Sequence, residues 1–132
     1  MNGASALRLV DTSEPAPAPQ TLIEAKIGAA MASAACAIAL GCHEFQNGGL
    51  APATKTAAGD RIAALYHLQQ AHATEIDFDA VAREHGRRAL RTYLDAEGFY
   101  QRHSQAQGDA TLDIYLDGTL EILGKVTAFM AS

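Results

Sequence analysis

Between Ile27 and Gly41 the chain reads IGAAMASAACAIALG, a run with no charge in which alanine, glycine, serine and cysteine predominate. No other feature restricts the fold as much. Alanine is the strongest helix former and gives up no rotamer freedom on ordering, so the run is predicted to be helical. Gly28, Ala29, Ala32, Ser33, Ala35, Cys36 and Ala39 are all small and allow a neighbouring backbone to come close. A helix without a polar face belongs in an interior. This one is expected at the centre of a helical bundle or at a tight dimer seam.

The run is shorter than the about 20 apolar residues that cross a bilayer. Ala39-Leu40-Gly41-Cys42 resembles a lipoprotein processing site, which makes an exported lipoprotein anchored through Cys42 the minor alternative for localisation. Asp11, Glu14 and Glu24 precede the run, where a targeting segment is basic, so the expected location is cytoplasmic. Cys36 and Cys42 lack the C-x2-C spacing of zinc or redox pairs and read as free thiols.

With 132 residues the chain has the size of one domain. Pro15, Pro17 and Pro19 alternate with other residues, each removing a backbone donor and biasing its predecessor to extended geometry. Residues 1–20 are therefore expected as a disordered Pro/Ala-rich tail and residues 21–132 as a single helical domain. Thr21 is the expected N-cap of the first helix, with Glu24 as its capping-box partner, and the helix is predicted to run to about Gly41. Asn47-Gly48-Gly49 and Pro52 mark a loop. A second helix is predicted from Asp60 to before Asp77. A third is predicted from Asp77 or Asp79, with Phe78, Val81, Ala82, Leu90, Tyr93, Leu94 and Phe99 on one face and Gly98 as an end or kink.

The C-terminal stretch admits two readings. Leu112, Ile114 and Leu116 alternate with Asp113, Tyr115 and Asp117, and Asp117-Gly118 is a turn signal. In a hairpin the register must use the loop 117–119, which pairs Leu116 with Leu120 and Ile114 with Ile122; a slip of one residue would place charge on the apolar face. The rival is a fourth helix, in which Leu112, Leu116, Leu120, Leu123, Thr127 and Met130 share a stripe, with Gly118 and Gly124 each costing about 1 kcal/mol relative to alanine. The hairpin is the preferred reading. The expected fold is thus mainly α, a small bundle of about three helices with a C-terminal β-hairpin, and an all-α bundle with a fourth helix is the alternative.

Few residues form a pattern that carries chemistry. His67 and His72 lie five apart, which points them about 140° from each other on a helix and excludes them as joint metal ligands. His72 and Glu75 have usable spacing, but two ligands do not make a site. His85 and His103 have polar surroundings and no nearby cysteine. No metal or cofactor is expected. A P-loop and a Gly-x-Ser-x-Gly elbow are both missing from the sequence, so an enzymatic role is not the expectation.

The segment Cys42-His43-Glu44-Phe45-Gln46-Asn47 resembles the phospho-acceptor segment of histidine-kinase dimerisation helices, where an acid follows the histidine and an amide stands four positions on. The resemblance implies His43 as phospho-acceptor, Glu44 as the base that raises its nucleophilicity, and Asn47 as the group that positions the phosphoryl. Gly48-Gly49 depart from the family by breaking the helix where it continues there. The implied role is phosphotransfer rather than kinase activity.

Four of the ten basic residues fall between Arg83 and Arg91 in a chain of net charge −5. Arg83, Arg87 and Arg91 recur every four residues, with Arg88 beside them, and make a stripe suited to phosphates or to a partner's carboxylates. Ala82 and Gly86 have the spacing of the Ala-x-x-x-Gly core of a helix-turn-helix, although Arg87 and Thr92 stand where that motif has apolar side chains. A solvated face paired with Glu84, Asp95 or Glu97 is the plain alternative. The expectation is a non-enzymatic interaction or structural protein, acting through helix packing and this arginine stripe with a protein partner or a second copy of itself. Phosphotransfer through His43 and nucleic-acid binding through the Arg83/Arg87/Arg91 face are the alternatives.

Overall fold

The computed structural model describes residues 19–102 and 104–132. The proposed tail to residue 18 and His103 lie outside the described residues, as does the side chain of Phe99. Four long helices make the fold: α1 (Pro19–Gln46), α2 (Pro52–His72), α3 (Phe78–Ala96) and α5 (Gln105–Ala131), with the one-turn α4 (Phe99–Arg102) leading from α3 into α5. Among the described residues there is no strand.

The C-terminal hairpin is therefore corrected to a helix, and three long helices become four. The physical reason lies in which stripe is buried. Gly108, Leu112, Leu116, Thr119 and Leu123, at helical spacings, form the inner face of α5, while Ile114 stands 66% exposed. The alternation over residues 112–117 is thus incidental to the helix. Gly118 and Gly124 face open space, where a glycine costs helix propensity but disturbs no packing. Ser104 starts α5 with a capping box: its Oγ accepts from the Gln107 amide at 3.2 Å, and Gln107 Oε1 accepts from the Ser104 amide at 3.3 Å.

α1 is the core helix, as its composition requires. Ile27, Met31, Ala32, Ala34, Ala35 and Ala37 are buried on several of its faces, and it packs against α2, α3 and α5. Its closest neighbour is α3. A Cβ on Gly28 would lie 2.7 Å from the Cβ of His85, and one on Gly86 would lie 2.5 Å from Met31 Cγ, so both glycines are needed for the approach of the two helices. The helix is long and apolar enough to cross a bilayer, a test that buried core helices also pass. Its bounds differ from those expected. It begins at Pro19, so Thr21 lies within it rather than capping it, and it continues past Gly41 to Gln46. Gly48 and Gly49, at φ of 128° and 129°, then end it in a conformation that side chains rarely adopt.

The start of α2 also differs. Pro52 is the first residue of the helix, a position that needs no N–H, and Asp60 is an exposed residue inside it. α3 begins as expected: the Asp77 carboxylate caps it by accepting from the Ala80 amide at 3.3 Å. Gly98, at φ 75°, follows the last turn. Its buried stripe is Phe78, Ala82, Gly86 and Leu90, so Ala82 and Gly86 serve the core, Gly86 at the seam with α1.

Candidate functional site

The arginine stripe of α3 faces a matching acidic stripe on α5. Arg83 pairs with Asp117, Arg87 Nε donates to Asp113 at 3.0 Å, and Arg91 Nη1 donates to Asp109 at 3.4 Å. Arg87 also reaches Asp109 at 3.9 Å. Both series advance by four residues in opposite directions along antiparallel helices, which gives a ladder of ion pairs. The hydrogen bond that Arg83 donates to the Asp117 carboxylate holds its guanidinium above the ordinary pKa. Arg88 points away and pairs with Glu84 on its own helix at 3.4 Å. The ladder joins two elements of this chain, and its arginines meet carboxylates here rather than standing as a bare cationic strip. Asp109 is the member that sequence reasoning missed. Its signal was the four-residue spacing of Asp109, Asp113 and Asp117, visible only once that stretch is read as helix.

His43 is exposed in the last turn of α1. Asn47 lies against it, with Nδ2 donating to the His43 carbonyl at 2.8 Å and standing 3.4 Å from its Nδ1. Glu44 is engaged elsewhere. Its Oε1 accepts from the Ala51 amide at 3.0 Å and its Oε2 from the Thr54 hydroxyl at 2.9 Å, both at the start of α2. Ala51 has no side-chain acceptor of its own, so Glu44 does the capping across the loop and places negative charge at the helix N-terminus. Of the three residues singled out, the fold brings Asn47 to His43 and commits the Glu44 carboxylate to α2.

Cys42 is exposed and Cys36 half-buried, and burial pushes the Cys36 thiol up. His72 Nδ1 and Glu75 Oε1 are 2.6 Å apart, and His85 Nε2 stands 3.8 Å from Glu24 across the α1–α3 seam. Among the described residues no three His, Cys, Asp or Glu side chains converge as a metal site.

Another uncommitted feature is apolar. Ile38, Gly41, Cys42 and Phe45 of α1 border, with Leu50 and Ala58, a groove of about 340 Å³. Through Ile38 and Ala58 it continues into a second, of about 370 Å³, bordered by Ile62, Ile122 and Val126. Phe45 is 74% and Phe129 77% exposed. Phe129 continues the α5 stripe of Ile122 and Val126, at helical spacing. Comparison with protein families, with curated proteins and with solved structures gives no match to this chain.

Proposed function

We propose that the protein is a non-catalytic interaction module that self-associates through the apolar groove between α1, α2 and α5. The observation that carries this reading is the continuity of the groove, from Phe45 and Leu50 past Ile38 and Ala58 to Ile122 and Val126. Contiguous exposed apolar surface marks interaction sites. A groove bordered by a projecting apolar stripe on the same face is what an isologous pair requires, because each copy offers the ridge that the other accepts. Phe129 and Ile122 provide the ridge.

The arginine stripe belongs to the fold in this reading. Phosphates or partner carboxylates would have to displace Asp109, Asp113 and Asp117 from it, and those acids repel nucleic acid at the same place. Phosphotransfer is likewise less favoured, since the carboxylate that would act as base for His43 holds the start of α2.

Size-exclusion chromatography with light scattering tests the proposal. The wild type is expected at the mass of more than one chain at tens of micromolar, and the doubly substituted Phe45→Ser, Ile122→Asp protein at one chain with an unchanged circular dichroism spectrum. Both substituted residues are exposed, so the fold should tolerate the changes. A wild type that remains a single chain up to millimolar concentration defeats the proposal.

A further inference from the structure

Along the α1–α3 seam the helices touch most closely where Gly28 meets His85 and Gly86 meets Met31. One and two turns further on, α1 offers the small side chains of Ala35, Cys36 and Ala39 to Leu90, Tyr93 and Leu94 of α3. Thr111, Leu112 and Tyr115 of α5 close the third side, leaving a cavity of about 230 Å³ with Cys36 in its wall. Ala35, Leu90 and Leu112 are buried and form the floor, while Tyr93 is 51% exposed at the mouth. Protein interiors leave few voids larger than a water molecule, and an apolar cavity of about 150 Å³ is enough to hold benzene.

The cavity has a polar end. Cys36 and Tyr93 also border an adjoining cleft formed with Ala32, Ser33 and Arg61. Arg61 differs from the arginines of the ladder. Its Nη1 donates to the Ser33 carbonyl at 3.3 Å, and among the described residues no carboxylate pairs with it. The hydroxyls of Tyr93 and Tyr115 have no hydrogen-bond partner among the described residues either. Thr111 is already committed, donating to the Gln107 carbonyl at 3.0 Å.

We propose that this cavity and its cleft bind a medium-chain carboxylate, a fatty acid of about eight to ten carbons, with the alkyl chain against Ala35, Leu90 and Leu112 and the carboxylate at Arg61. Burial of the chain supplies the affinity, through about 0.8 kcal/mol per CH2 group removed from water. A guanidinium whose protein partner is a neutral carbonyl is the cation that a carboxylate would recognise. The cavity and its cleft share no lining residue with the self-association groove, so either proposal can fail without the other.

Isothermal titration of the full chain with decanoate below its micellar concentration, with decanol as the uncharged comparator, is the test. One saturable site is expected for decanoate, with decanol weaker by roughly threefold to tenfold, the range between an exposed pair and a charge-assisted hydrogen bond. Arg61→Gln should bring decanoate down to the level of decanol and leave decanol unchanged. Ala39→Leu, which fills the cavity, should abolish both. In Cys42→Ser protein, decanoate should slow labelling of Cys36 by a thiol reagent at least threefold. Lack of saturable binding by wild type overturns the proposal, as does decanoate binding that Arg61→Gln leaves at its wild-type strength. Because Arg61 is exposed, the Arg61→Gln protein keeps the test decisive even if Ala39→Leu does not fold.

Discussion

The two sides of α1 make the same kind of surface and meet different fates. Toward α3, Gly28 and Gly86 lie close enough to the opposite helix that no Cβ fits at either position. Toward α2, Gly41 has only ordinary contacts, with Leu50 Cδ1 at 3.4 Å and Thr54 Cγ2 at 3.8 Å, and Gly59 has nothing within 4 Å. Small residues on one helix permit close approach but do not compel it; the opposing helix must present a gap at the matching height. α3 does so at Gly86. α2 does not, and the space left over becomes the apolar groove.

Substitutions at the glycines should separate the two sides. Gly86→Val is expected to have the largest effect, because its side chain would have to displace Met31 from a fully buried position. Overpacking of this kind costs about 3 kcal/mol or more once strain reaches the core, and urea titration should show the loss of a single cooperative transition. Gly28→Ala should be milder, a net loss of about 1–2 kcal/mol, as the collision with His85 outweighs the about 1 kcal/mol gained in helix propensity. A stability equal to wild type in either case would mean that the seam is looser than described.

The ladder between α3 and α5 gives an intermediate effect. Changing Arg83, Arg87 and Arg91 together to glutamine should cost about 1–2 kcal/mol, since each partly exposed pair contributes about 0.2–1 kcal/mol. The difference from wild type should shrink in 1 M salt, where the screening length falls to about 3 Å. A triple variant that loses self-association while keeping its thermal stability would instead return the stripe to the role of a partner surface. The smallest effect is expected on the open side of the comparison. Gly59→Ala should stabilise by about 0.5–1 kcal/mol, visible as a rise in melting temperature, because nothing opposes the added methyl and helix propensity improves. Destabilisation there would show that Gly59 lies against a neighbouring helix rather than in open space.

What was legible in the sequence was local. The alanine-dense run declared itself as the core helix, Asp77 as a cap and Gly98 as a terminus, because each depends on a few neighbouring residues. Errors arose where two local signals competed. Pro52 read as a loop marker, although proline suits the first position of a helix. Asp117-Gly118 reads as a turn, although on a helix Asp117 reaches Arg83 of α3 and a Cβ on Gly118 would meet open space. The acid beside His43 was legible as a neighbour in sequence but not in its engagement, since Ala51 and Thr54 reach it only after the chain has turned. The ladder was invisible for the same reason. Arg83, Arg87 and Arg91 looked like free cations because their partners lie on α5, 18 to 34 residues away.

That ladder also acts as a ruler. If α5 were displaced along α3 by one turn, Arg83 would face Asp113, Arg87 would face Asp109, and Arg91 would lose its rung while Asp117 lost its cation. A displacement of two residues would set every arginine between acids. The leucines of α5 offer little such discrimination, since Leu112, Leu116 and Leu123 are alike in shape and one can replace another in the same hollow. Weak pairs at fixed intervals can therefore select the alignment of two greasy surfaces that would otherwise tolerate several.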